Sequence, residues 1–514
     1  MNRRNFMKAS CLGAASMALG SSSLLAVQTT EEKPNILFVF ADQLGLNHCN
    51  YANYWNGAHY TGLANTPNLD AFSRQGVNFK NCVANTPVCS AFRATLMTGK
   101  YTTSHGMVIN ELQLNPYQDC LGHVLTRAGY NTAYIGKWHI YANELGDHYN
   151  PENSFVPRGP HRLGFNGFWA AYNFHHDYYG TNSYYHTEST EKHYFGAGVY
   201  EVDGQTDLAI DWLRCRIQKS SRPFAMVLSW GAPHDPWSDA NTPLAFRNNY
   251  SAAQFSSPPN YIAANDPYAD SWATLSNTDR ANLNSWRKNY YAMTENVDWN
   301  FGRLLNYLDE SGLAENTIVV FSSDHGEMFG AHGRRAKNIF YEEAARIPML
   351  LRWPAKMPAG QVSDACISTV DFPATICGLA GLEKPKRWEG TDLSQHTLGE
   401  GGEEPDVAFM QGTGATAAWD NGHEWRAVRS KQYTYARYRI PISGADQELL
   451  FDNLNDPCQI TNLAGDASYA DMYAQMSAKL DEKLAAYSDT FEACTYYRDN
   501  WTDGNRRILR GARG

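Results

Sequence analysis

Val88-Cys89-Ser90-Ala91-Phe92-Arg93-Ala94-Thr95-Leu96-Met97-Thr98-Gly99-Lys100 is the stretch around which this chain is organised. It reads as a turn entering a helix, with Cys89 at the helix mouth and Gly99 as the C-terminal stop. A thiol at a helix N-terminus feels the positive end of the dipole, which favours a thiolate or another anion there. Arg93 lies four residues on, on the same helix face, and can steady that side chain. On this evidence Cys89 is a reactive-cysteine candidate, and a buried inert cysteine is the plain alternative.

Outward from this helix, short apolar runs alternate with amphipathic segments, as in an α/β fold with a central, largely parallel sheet. Candidate strands are 35–40, 131–135, 223–229, 317–322 and 348–352. Candidate helices are 67–75, 89–98, 119–128, 205–218 and a long one around 283–309, with Gly129 and Gly312 placed as helix stops. Four of the strands end in chemistry-bearing residues: Asp42-Gln43, Lys137-Trp138-His139, His234-Asp235 and Asp324-His325. Open α/β sheets bind ligands beyond the carboxyl ends of their strands. One aspartate after a strand is ordinarily a turn residue or a cap. Four such tips converging on one edge predict a metal-assisted hydrolase site. Asp42 and Asp324 supply hard oxygen ligands, Gln43 a carbonyl and His325 an imidazole nitrogen, a set for one divalent cation when a substrate oxygen and the nucleophile at Cys89 complete the shell.

The chain has 514 residues, enough for one large and one smaller domain. Its net charge of −10 argues against nucleic acid as a main partner, while leaving room for an anionic substrate in a locally basic pocket. Asn2-Arg3-Arg4-Asn5-Phe6-Met7-Lys8 resembles a twin-arginine export signal, and the weakly apolar run behind it is a poor membrane span. Export to the periplasm or the exterior is therefore expected, with no stable membrane span. None of the ten cysteines forms a CxxC pair, and export would permit disulfides whose connectivity spacing cannot reveal.

The order Cys89-x-Ala91-x-Arg93 followed by Leu96-Met97-Thr98-Gly99-Lys100 resembles the signature of the formylglycine-dependent sulfatases, a branch of the alkaline phosphatase superfamily. The resemblance implies a large central sheet flanked by helices and a smaller C-terminal α+β subdomain. It implies that a sulfatase-maturating enzyme oxidises Cys89 to formylglycine, whose hydrated aldehyde is the nucleophile. It also implies a divalent metal, calcium first, with magnesium or manganese as the other candidates. Family members carry Asp-Asp after the first strand and Asp-Asn later. This chain has Gln43 and His325 at the second position of each pair, so its site has fewer carboxylates and a nitrogen ligand. Lys137 and Lys337 resemble the sulfate clamps. His139 resembles the base that releases sulfate from the formylglycine, His234 the acid that protonates the departing alcohol, and Arg93 the residue that orients the nucleophile.

Two further stretches complete the reading. Residues 168–179, dense in aromatic and polar groups, read as an inserted loop that, with Arg334 and Arg335, forms a substrate-recognition rim. Beyond about Gly390, a strand-like stretch at 427–438, a helix at 472–487 and the Leu454–Ala464 segment resemble the small sulfatase subdomain. The domains are then a leader over 1–32, a catalytic domain over 33–395 and a C-terminal subdomain over 396–514. The activity expected is removal of sulfate from a sulfated carbohydrate. A phosphonate or phosphate ester hydrolase of the same superfamily, and an inactive sulfated-glycan-binding protein, are the alternatives.

Overall fold

Strand β1 (Asn35–Ala41) carries seven buried residues, and its side chains divide between two cores. Ile36, Phe38 and Phe40 point to one face, and Leu37, Val39 and Ala41 to the other. A strand apolar on both sides belongs in the middle of a sheet covered by helices. The computed structural model describes residues 32–52, 64–142, 147, 149–179, 182–217, 219–439, 446–504 and 506–510. In it β1 lies fifth in an eight-stranded sheet of order β10-β2-β9-β8-β1-β7-β3-β4. The other strands are β2 (Val77–Phe79), β3 (Asn131–Lys137), β4 (Phe168–Tyr172), β7 (Phe224–Ser229), β8 (Thr317–Ser323), β9 (Met349–Arg352) and β10 (Gln361–Ser363). β8, β1, β7, β3 and β4 run parallel, and β9 alone runs against its neighbours. A separate pair, β5 (Tyr184–Tyr185) and β6 (His193–Tyr194), lies outside this sheet.

Helices α1 (Pro67–Phe72), α4 (Glu201–Ile217) and α5 (Asn277–Glu310) pack on one face. α2 (Cys89–Thr98), α3 (Leu121–Arg127) and α6 (Phe372–Leu379) cover the other. α2 is buried at all ten residues and ends at Gly99. That glycine has φ +62°, and a Cβ there would meet Trp388 at 2.6 Å. α5 begins six residues before its expected start, because Ser276 and Asp279 form a capping box that extends the first turn.

The second sheet is antiparallel, in the order β11 (Ala408–Thr413), β12 (Glu424–Arg429), β13 (Tyr433–Arg439), β14 (Asp446–Asp452). The stretch 427–438 thus holds parts of two strands with a turn between them. α7 (Ala470–Ala486) lays Met476 and Leu480 against Phe409, Val428 and Tyr435 of this sheet. Gln411 N–H donates to the Asn85 carbonyl at 2.7 Å, and Trp425 Nε1 to the Asn338 carbonyl at 3.1 Å, so this sheet braces loops of the catalytic edge.

The inserted-loop reading of 168–179 is corrected in part. Phe168–Tyr172 is an edge strand in parallel register with β3, Ala133 pairing with Phe168 and Lys137 with Tyr172. Trp169 and Ala171 face one core and Ala170 the other, a strand period hidden by the density of aromatics. None of the nine described cysteines is in a disulfide, and eight are buried. Among the described residues no helix is long and apolar enough to cross a membrane. The export signal and Cys11 lie outside the described residues.

Candidate active site

Register explains why distant residues meet. Ala41 pairs with Ser323, so Asp42 and Asp324 leave adjacent strand ends side by side. Gly136 pairs with Ser229, which brings Lys137 to the end of the same row. α2 then sets Cys89 and Arg93 over these tips. Arg93 is 1 % exposed and holds the row together: one guanidinium nitrogen donates to the Lys137 carbonyl and Ser229 Oγ, both at 2.6 Å. The other donates to Asp42 at 2.9 Å and Asp324 at 3.2 Å.

Around Cys89 Sγ stand Lys337 Nζ at 2.8 Å, His325 Nε2 at 3.1 Å and Asp42 Oδ1 at 3.7 Å. The ligand atoms of Asp42, Cys89, Asp324 and His325 all lie within 4.8 Å of one another. His325 Nδ1 is 2.9 Å from the Gly326 carbonyl, which can only accept; the proton is on Nδ1 and the Nε2 lone pair faces the centre. Gln43 Nε2 donates to Glu327 at 2.6 Å, which turns its Oε1 to within 3.4 Å of Lys337 Nζ. Two carboxylates, an imidazole lone pair and an amide oxygen fit a divalent cation. Glu327 was absent from the sequence reading. Its only signal was position, three residues after Asp324, and its role in aiming Gln43 depends on the fold.

Both sulfate-clamp candidates reach the centre. Lys137 Nζ donates to Asp42 at 2.5 Å and sits 4.8 Å from the Phe174 ring centroid. Lys337 lies between Ala336 and Asn338, which take φ of +59° and +65°. Asn338 holds this strained turn by donating from its side chain to the Gly414 carbonyl and from its backbone to the Pro87 carbonyl. His139, also at positive φ, packs against Phe174 with ring centroids 4.4 Å apart and is buried beside Cys89. His234 places Nδ1 2.7 Å from Asp235 Oδ1 and Nε2 2.9 Å from Lys337 Nζ. His176 packs against His234 with ring centroids 4.4 Å apart, its Nε2 buried and without a hydrogen-bond partner among the described residues.

Arg335 keeps a rim position, with side-chain exposure of 25 % and Asp235 at 3.9 Å. Arg334 does not. It is 2 % exposed and donates to Asp266 at 2.8 Å, which makes it a structural ion pair and corrects its assignment to the rim.

Proton affinities follow from this crowding. Burial raises the Cys89 thiol, but the Lys137 and Lys337 ammonium groups outweigh it, so the side chain is held well below the usual thiol range. Burial and the Cys89 charge act on Asp42 in the same upward sense, and Lys137, His234 and Arg93 reverse them, leaving it below the ordinary carboxylate range. Asp324 moves up through burial and the charge of Asp42, as expected for two carboxylates sharing one site. Burial, helped by Lys137, pulls His139 down to about 3. His234 rises to about 9: burial and Lys337 lower it, and Asp235 and Asp42 more than compensate.

This arrangement is that of a hydrolase for charged esters, with an anionic nucleophile position, paired cations and two histidines of opposite proton affinity. The chain belongs to the sulfatase family: the family's profile, described as Sulfatase, matches residues 34–382, and that of the N-sulphoglucosamine sulphohydrolase C-terminal region matches 330–486. It is thus a sulfuric ester hydrolase of the alkaline phosphatase superfamily. It is 34 % identical to an ulvan-active sulfatase of Formosa agariphila, covering 92 % of this chain and 86 % of that one. Identity is 28 % with an N-acetylglucosamine-6-O-sulfatase of Bacteroides thetaiotaomicron, over 92 % and 90 % of the two chains. A solved structure from a study of glycosaminoglycan metabolism by Bacteroides thetaiotaomicron superposes with a TM-score of 0.75 at 24 % identity, over 90 % of this chain and 99 % of that one.

Proposed function

We propose that this enzyme is exported and removes sulfate from a sulfated carbohydrate, using formylglycine made from Cys89 by a sulfatase-maturating enzyme and one divalent cation, calcium first. The observation that carries the reading is the gathering of Asp42, Gln43, Asp324, His325, Lys137, Lys337, His139 and His234 around Cys89 Sγ. That sulfur stands in for the nucleophilic oxygen of the hydrated aldehyde. The names of the ulvan-active and N-acetylglucosamine-6-O-sulfatase relatives support a carbohydrate.

Asp42, Gln43, Asp324 and His325 would hold the cation, which when bound would supply polarisation of a sulfate oxygen and a lowered pKa at the attacking hydroxyl. Lys137 and Lys337 fix the sulfate and spread its developing charge. Arg93 keeps Asp42, Asp324 and the end of β3 in one arrangement. His139, neutral because its pKa is about 3, accepts the proton of the spare hydroxyl. The proton between His234 Nε2 and Lys337 Nζ is delivered to the departing alcohol oxygen, and Asp235 holds the ring for that transfer. The proposed division is 33–395 for catalysis and 396–514 for the C-terminal subdomain, two regions of one compact unit with a sheet in each.

Mass spectrometry of the peptide containing Cys89, from a host with a maturase, tests the mechanism together with turnover of 4-nitrophenyl sulfate, a sulfated monosaccharide, 4-nitrophenyl phosphate and phenylphosphonate. The expected result is an aldehyde at position 89, turnover of the sulfated sugar and its loss in Cys89→Ala with the fold intact. A thiol at 89 in fully active enzyme refutes the mechanism, and preference for phosphonate refutes the substrate.

A further inference from the structure

Away from the Cys89 centre, two adjoining clefts of about 840 and 370 Å³ share a wall made by Asn115, Pro116 and Tyr117. Both volumes fall in the range of small-ligand sites. Tyr117 is 83 % exposed, more than any other large hydrophobic side chain among the described residues. Its loop is nevertheless braced. Tyr117 N–H donates to Asn115 Oδ1 at 2.9 Å, Asn115 Nδ2 to the Leu509 carbonyl at 2.8 Å, and Gln118 Nε2 to the Asn115 carbonyl at 3.1 Å. The fold therefore holds an aromatic face out in water, which costs hydrophobic free energy and contributes nothing to the core.

Charge around this ridge is inverted relative to the chain. The whole sequence has 53 acidic against 43 basic residues. The two clefts are lined by Lys100, Arg127, Arg387 and Arg507 against a single carboxylate, Asp119. Arg127 is 61 % exposed and its ion pair with the half-exposed Asp119 is 3.5 Å long, a pairing worth little in water. Arg387 and Arg507 are exposed. The smaller cleft is also walled by Tyr141, two residues beyond His139 at the tip of β3. One end of the ridge thus lies near the catalytic edge of the sheet.

We infer that these clefts form a second carbohydrate-binding site, which takes a run of sugars carrying sulfate or carboxylate groups. Tyr117 offers its flat face to the apolar side of a sugar ring, while the guanidinium forks of Arg127, Arg387 and Arg507 take the anionic substituents. A polymer held there raises the local concentration of further sulfate esters at the Cys89 centre. Naming the ligand rests on the carbohydrate reading of the substrate; the pairing of aromatic ring and cations does not.

Affinity electrophoresis of the full chain, carrying Cys89→Ala so that the polymer stays sulfated, tests this with chondroitin sulfate, neutral dextran and double-stranded DNA as probes. Chondroitin sulfate is expected to retard the chain and dextran is not. Tyr117→Ala is expected to weaken retardation about fivefold, the scale of one aromatic contact. Arg127→Glu combined with Arg387→Glu weakens it about tenfold at low salt and less at high salt. In the Cys89 enzyme the same substitutions leave kcat/KM for a sulfated monosaccharide unchanged, and Tyr117→Phe restores retardation. Retardation unaffected by any of these changes overturns the site. So does equal retardation by DNA that is indifferent to Tyr117, because it reports unspecific attraction of polyanions. Retardation that follows Tyr117 and the arginines, in a protein whose Cys89 form turns over no sulfated sugar, supports the site and refutes the proposed activity instead.

Discussion

Replacing Arg93 by alanine tests the charge balance on which the active site depends. The guanidinium is 1 % exposed and makes four hydrogen bonds, two of them to the buried carboxylates of Asp42 and Asp324. Without it Asp42 keeps Lys137, but Asp324 keeps, among the described residues, the Gln43 N–H at 2.9 Å and His325 Nε2 at 3.6 Å. Breaking a buried ion pair from one side costs about 3–5 kcal/mol, because the remaining charge stays desolvated. We take about 4 kcal/mol, since the four bonds are not additive. Residues 33–514 form one compact unit, and at roughly 2 cal/mol/K per residue its unfolding entropy is about 1 kcal/mol/K. The melting temperature of Arg93→Ala should therefore fall by about 4 °C in a chelator-containing buffer. Saturating calcium should recover part of that fall, and should stabilise the variant more than the wild type, because a cation offsets the same two carboxylates. Arg93→Lys, which keeps the charge but loses the fork, should lie between the two. Scanning calorimetry with chelator and with calcium reads all three chains. A variant melting within about 1 °C of wild type in chelator, at a scale of about 1 kcal/mol per degree, would show that Arg93 does not balance these carboxylates.

Two further predictions concern the proton donor and the end of β3. His234 has its pKa raised to about 9, so its contribution to stability is present in full below its unfolded value of about 6.5 and is lost as pH rises through 9. The alkaline limb of kcat/KM should lie near the same pH, and Asp235→Asn should move it downward by about one unit or more, because Asp235 is the main group raising His234; an unmoved limb in a pH–rate profile rules His234 out as its source. Gly136 precedes Lys137 with φ +99°, and a Cβ there would stand 2.0 Å from the Ser229 carbonyl. Gly136→Ala should accordingly lower both the melting temperature and the soluble yield, and a wild-type melting curve would count against the close approach of β3 and β7.

Much of the site was legible in the chain because it depends on local rules. A strand that ends in Asp42-Gln43 or Asp324-His325, and a helix that opens at Cys89, declare themselves through apolar runs and breakers alone. The rim was less legible. Arg334 and Arg335 are neighbours of identical type, yet one is locked onto Asp266 and the other reaches toward Asp235 and solvent. Phe168–Tyr172 concealed a strand period within an aromatic cluster, because edge strands of five residues carry too few repeats to stand out.

The sequence by itself determined the alternation of strands and helices, the strand tips that bear carboxylates, imidazoles and ammonium groups, and the cysteine helix among them. Only the tertiary structure decided which tips are neighbours, through the register that sets Ala41 against Ser323 and Gly136 against Ser229. It alone recruited Glu327 to aim Gln43, and raised His234 while lowering His139. The physical reason is range. Periodicity and capping act over a few residues and are written in their order, whereas proton affinity and ligand geometry depend on charges brought within a few ångströms from positions hundreds of residues apart.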